Sequence, residues 1–287
     1  MEPTYSAIST PPQIVAANMN AAKGKTELPL LRMILLGIFA GMFIAGGASA
    51  SSLAMHAISN VGVARLVAGA IFPVGLMMIV LVGGELFTGD CLMIMGCVHG
   101  KFSAWNMIRV LVIVFLSNMI GSLLFAGLVY FSGQYNYTNG LLGAFTIKVA
   151  LGKVNLSFGA AFASSILCNI FVCMAVLMAT AAKDISGKIW AIFFPILAFL
   201  VSGYEHCVAN MYYIPAGIFA ASNEAYVTSG VSNVLFSADQ LANLNWGSFV
   251  FNNLIPVTLG NIVGGMVFVG LPLYLIHAQK LKADEAK

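Results

Sequence analysis

Charge is what this sequence has least of. Of 287 residues only 8% are Asp, Glu, Lys or Arg, while 60% are hydrophobic and the mean hydropathy is +0.94. So little polar surface cannot cover a soluble globule of this length, which makes lipid the solvent around most of the chain. The net charge of +3 comes from dispersed Lys and Arg. No basic run interleaved with aromatics is present to follow a phosphate backbone, which excludes nucleic acid as a partner. HExxH and GxSxG patterns are also missing, so no membrane-embedded enzyme is expected. The first 28 residues are polar and mixed, and the apolar run after them is too long for the core of a cleavable signal. A retained N-terminal segment, partly a surface helix, is expected. The five cysteines, Cys91, Cys97, Cys168, Cys173 and Cys207, lie in apolar segments rather than polar loops, which excludes a disulfide framework. Cys91/Cys97 and Cys168/Cys173 lack the CxxC spacing of a zinc site, so they read as small apolar fillers, and neither metal nor cofactor is expected.

What is present is length in lipid. A span needs roughly 20 mostly apolar residues, and six stretches qualify: about 31–55, 64–98, 106–131, 156–182, 189–221 and 247–277. Six helices put both termini on one face. Lys23, Lys25, Arg32, Lys101, Arg109, Lys183, Lys188, Lys280, Lys282 and Lys287 fall on that face, against Arg65, Lys148 and Lys153 on the other. The positive-inside rule places the termini in the cytoplasm, and the absence of sorting signals suits a bacterial inner membrane. Trp105, Trp190 and Trp246 each stand near the start of a span, at headgroup level. The expected layout is a cytoplasmic N-terminal segment over 1–28, a six-span domain over 29–279 and a cytoplasmic tail over 280–287.

Two spans are too long and carry polar interruptions: Gly83-Gly84-Glu85-Leu86-Phe87-Thr88-Gly89-Asp90 in the second and Ser202-Gly203-Tyr204-Glu205-His206 in the fifth. Irregular backbone at membrane depth is tolerated only where protein buries it or a cavity wets it, so paired breaks point to a pathway. The halves also resemble each other. Leu116-Ser117-Asn118-Met119-Ile120-Gly121, Phe125 and Gly127 align with Leu259-Gly260-Asn261-Ile262-Val263-Gly264, Phe268 and Gly270. Three spans repeating as three, about 31–131 and 154–277, force the second copy upside down relative to the first. The fold class is therefore an all-α membrane protein, a six-helix inverted repeat with broken second and fifth helices.

In that arrangement both broken helices restart near the midplane with their N-termini toward the centre, where free N–H groups and the helix dipole favour an anion. Ser202-x-x-Glu205 spells a capping box for the fifth-span restart. Glu85, Asp90 and Glu205 read either as caps and inter-helix bonds or as a cation path. His206 is the only histidine at midplane, whereas His56, His99 and His277 lie at span ends. It reads as a satisfied core residue or as a group that hydrogen-bonds, or lends a proton to, a passing solute. Thr88 offers a hydroxyl to the same solute or simply an N-cap. Lys153 is either a snorkelling anchor or an electrostatic lure at the mouth.

Glu85-Leu86-Phe87-Thr88-Gly89, Ser202 to Met211, and Asn253-Leu254-Ile255-Pro256-Val257-Thr258-Leu259-Gly260-Asn261, with Lys153, Phe158 and Asn169 leading the fourth span, closely resemble the formate/nitrite transporter family. The resemblance covers nearly the whole chain. It implies an aquaporin-like protomer in a homopentamer, each subunit with its own pore, in contact with membrane lipid. It further implies Thr88 and His206 face to face at the pore centre, Asn169 and Asn261 nearby, and Lys153 in the outer vestibule. Phe72, Leu76 and Phe199 would form apolar constrictions on either side, which reject a bare ion. Tyr204 and Cys207 depart from the common Phe and Ser. Met211-Tyr212-Tyr213-Ile214-Pro215 looks more like the formate than the nitrite branch. The expected solute is thus a small monovalent weak-acid anion, formate first, with nitrite, hydrosulfide, acetate and lactate as alternatives and a neutral-solute channel as the rival class.

Overall fold

Glycine and proline placement, rather than any loss of hydrophobicity, divides the long apolar runs of this chain into helices. The computed structural model describes residues 8–285. Helix α1 (Pro11–Thr26) opens on a proline, whose missing N–H costs nothing at a first helical position, and the Gln13 side chain accepts from Thr10 N–H at 2.9 Å. Then come α2 (Leu30–Met55), α3 (Val61–Ile71) and α4 (Val74–Val82), the last two joined at a Phe72-Pro73 kink. After four non-helical residues the second span resumes as α5 (Phe87–Asp90), a 3-10 turn and α6 (Ile94–His99). Helix α7 (Ala104–Phe131) completes the first half.

The second half follows the same plan. A connecting helix, α8 (Leu141–Val154), leads to α9 (Phe158–Ala181) and α10 (Ile185–Ser202). The fifth span resumes as α11 (Cys207–Ala221), and α12 (Glu224–Ser232) lies in the next connection. The sixth span runs from Trp246 to His277 through α13 (Trp246–Ser248), α14 (Ile255–Ile262) and α15 (Leu271–Glu285), with π-helical stretches on both sides of α14. Among the described residues six helical stretches are long and apolar enough to cross a membrane, and the breaks fall where the sequence places them, in the second and fifth spans. Of the two ends of the layout, residues 1–7 and 286–287 lie outside the described residues.

Close backbone approach holds each half together. Helix α2 packs against α7 along its length, and α9 packs against α14 in the same way. A Cβ on Gly121 would run into the Ile38 carbonyl oxygen, and one on Gly264 into the Ile166 carbonyl oxygen. With no hydrophobic drive between helices in lipid, small residues that let backbones touch supply the packing. These two glycines are a pair that the internal repeat aligns. Helix α1 lies across one end of the bundle, where Val15 and Met19 bury against Leu92, Met95, Leu177 and Tyr274.

Candidate functional site

The two breaks share one scaffold. Gly83 (φ 114°) ends α4 and Gly203 (φ 73°) ends α10, each in the positive-φ region that glycine enters without strain. The restarts are held by an asparagine from the third span of each half. Asn118 Oδ1 accepts from Phe87 N–H at 3.0 Å, and its Nδ2 donates to the carbonyls of Gly37 and Glu85, each at 2.8 Å. Asn261 Oδ1 accepts from Cys207 N–H at 2.9 Å, and its Nδ2 donates to the carbonyls of Ser165 (2.8 Å) and Glu205 (3.1 Å). Both asparagines are fully buried, and each gives a partner to one N–H and one carbonyl of the non-helical break while tying it to a neighbouring helix.

Each break also carries a lysine bound to a carboxylate. Lys25, at the end of α1, donates to Glu85 at 2.6 Å and Asp90 at 2.5 Å. Burial pulls the Lys25 ammonium toward deprotonation, but the charges of Asp90 and Glu85 outweigh it and hold its pKa above the ordinary lysine value. Lys153, in the last turn of α8, donates to Glu205 at 2.9 Å and lies over the Tyr213 ring. Glu205 also accepts from Asn210 Nδ2 at 2.6 Å and Asn253 Nδ2 at 3.3 Å. These pairings correct the capping expectations. Ser202 is the exposed last residue of α10, Glu85 and Glu205 are ion-paired, and the cap of α11 is His206 itself. The Ser-x-x-Glu spacing fails as a box because Gly203 turns the chain left-handed between serine and glutamate. All three carboxylates, Glu85, Asp90 and Glu205, are engaged by lysine.

Between the breaks, Thr88 Oγ1 and His206 Nε2 stand 2.9 Å apart, both buried. His206 Nδ1 accepts from Ala209 N–H at 3.0 Å. A backbone N–H can only donate, so the proton of the neutral ring sits on Nε2 and points at Thr88. Asn169 Nδ2 fixes the same region by donating to the carbonyls of Thr88 (3.2 Å) and Asn261 (2.6 Å). Phe199 lies 6.1 Å from the His206 ring and meets Phe72 edge-on at 5.5 Å, so two of the three expected constriction residues form one contact. Leu76 is buried on α4, one turn beyond. A cavity of about 830 Å³ opens on the face opposite the termini and has Phe199, His206, Lys153, Glu205 and Asn210 in its wall. Sequence reasoning missed the pairing of Lys25 and the roles of Asn118, Asn210 and Asn253. One signal was available: Lys25 and Lys153 each stand twelve positions ahead of the carbonyl, Gly37 or Ser165, that the repeat asparagine binds.

Comparison with known proteins bears on the fold and the family. The formate/nitrite transporter profile matches residues 12–275. A probable formate transporter of Methanothermobacter thermautotrophicus is 37% identical over 282 residues, covering 92% of this chain and 95% of that protein. The formate channel FocA of Haemophilus influenzae is 40% identical over 213 residues, 73% of each chain. A solved pentameric formate channel with formate bound superposes with a TM-score of 0.77 at 33% identity, covering 87% of this chain and 98% of that one. The family comprises channels and transporters rather than enzymes. An all-helical, six-span inverted repeat matched by that profile over almost its whole length belongs to the formate/nitrite transporter family.

Proposed function

We propose that the chain is a passive channel for small monovalent weak-acid anions, formate foremost, that cross in protonated form. The observation that carries this reading is the Thr88–His206 pair at the junction of the two broken helices, walled by Phe72 and Phe199 and facing a cavity. An apolar ring of this kind strips water from an ion without replacing it, a penalty a neutral acid avoids. Formate takes a proton from water in the vestibule, crosses as formic acid, and returns the proton on the far side. The Nε2–H of His206 and the Thr88 hydroxyl hydrogen-bond its oxygens in place of their bond to each other. With Nδ1 committed to Ala209 N–H, His206 serves as a hydrogen-bond donor and not as the source of the proton. Asn169 and Asn261 hold the frame, and Lys153 favours the anion at the mouth.

In this reading both termini are cytoplasmic, as the ten-to-three partition of Lys and Arg supports. The chain resides in the cytoplasmic membrane as a homopentamer, which its likeness to a pentameric channel supports. The test is uptake of formate, nitrite, hydrosulfide and lactate into proteoliposomes across a pH series, for the parent and for His206→Asn. Formate preferred, with uptake rising toward acid, is the expected outcome. Nitrite or hydrosulfide preferred would reassign the solute; no anion uptake by a folded parent would overturn the reading.

A further inference from the structure

Arg65, Lys148 and Lys153 are the three basic residues that stand against the charge bias of the chain. They come from α3, the middle of α8 and the end of α8, yet all three line the single 830 Å³ cavity on the face opposite the termini. Lys153 is taken by Glu205, the only carboxylate in the cavity wall among the described residues. The His56 ring is occupied by the Leu53 carbonyl and Thr138 Oγ1. Arg65 and Lys148 are exposed, and among the described residues neither has an ion pair or hydrogen bond. This mouth therefore carries two uncompensated positive charges. At the other break, Lys25 stands between two carboxylates.

Arg65 is also seated. Its guanidinium lies over Gly203 at the C-terminal end of α10, where a Cβ would stand 2.9 Å from Nη1. A helix C-terminus is the negative end of its dipole and steadies a cation there. The planar fork stays free to bind a carboxylate through two parallel N–H···O bonds, with Lys148 adding a second, more mobile charge.

We propose that Arg65 and Lys148 form an anion-docking site in this vestibule, ahead of Lys153 and the Thr88–His206 pair, which takes small carboxylates and comparable weak-acid oxyanions. It rests on the channel reading above. Charges in a walled cavity focus the field, raising local anion concentration so that this face saturates at a lower solute concentration than it would without them.

The experiment is initial formate flux in vesicles of fixed orientation, measured from each face at several ionic strengths, for the parent and for Arg65→Gln/Lys148→Gln. From the vestibule face, the double variant should raise the half-saturating concentration roughly tenfold and flatten its salt dependence. From the terminal face the half-saturating concentration should stay as it was. Lys148→Gln alone, at an exposed site with no partner, should fold normally and give part of the effect. Arg65→Lys should keep the salt dependence. Unchanged half-saturation and salt slope in folded variants would overturn the docking site while leaving the channel intact. A parent that moves no formate from either face would overturn the channel reading and this site with it.

Discussion

The break between α4 and α5 and the break between α10 and α11 are one device used twice. The residues before the restarts, Leu86 (φ −113°, ψ 119°) and His206 (φ −116°, ψ 118°), have nearly the same backbone conformation. Asn118 and Asn261 make the same three bonds, and Lys25–Glu85 answers Lys153–Glu205. What differs is the chemistry placed on that frame. Leucine stands where the second copy has histidine, and Asp90 stands where it has Asn210, five residues after the glutamate in each case. The repeat thus builds a symmetric frame, and a few asymmetric side chains at the two breaks distinguish its halves.

Removing the shared frame should have the largest effect, and the same effect in both halves. Asn118→Ala and Asn261→Ala each orphan one carbonyl and one N–H at a break, at about 1–3 kcal/mol per buried group. Thermal unfolding in detergent should show both strongly destabilised, and a mild effect at one would break the equivalence. Lys153→Met leaves Glu205 charged and enclosed, an expected loss of about 3–5 kcal/mol. Lys25→Met should cost at least as much, because it leaves two carboxylates, Glu85 and Asp90, without their shared cation, and the Asp90 side chain is only 1% exposed. His206→Leu, which makes the second break a copy of the first, should reduce formate uptake roughly tenfold, the value of one lost hydrogen bond of about 1–1.5 kcal/mol. Ser202→Ala should change stability by less than about 0.5 kcal/mol, whereas a true capping serine would cost about 1 kcal/mol.

Hydropathy and polar interruption made the six spans and both breaks legible, since lipid imposes a length and punishes irregular backbone. The alignment of Asn118 with Asn261 was legible because both face the same task, binding a restarted helix. Local spacing misled at Ser202, where a three-residue offset that suits a helix start occurs at a helix end. Helices α8 and α12, with 14 and 9 residues, are too short to stand out in so apolar a chain. The grip of Lys25 on Glu85 joins positions 60 residues apart and has no local signature. The opposing breaks already pointed Thr88 and His206 at one solute; that they face each other directly came from the family resemblance, because nothing in either break alone says which side chains cross the gap.

The most direct test is the proton balance of transport: formate flux and internal pH followed together in proteoliposomes holding the parent protein, with and without a potassium-clamped membrane potential. Passage as the neutral acid predicts internal acidification in proportion to formate taken up and a rate indifferent to the clamp. Uptake without acidification, accelerated when the clamp collapses an inside-negative potential, would mean that the bare anion crosses and would contradict it.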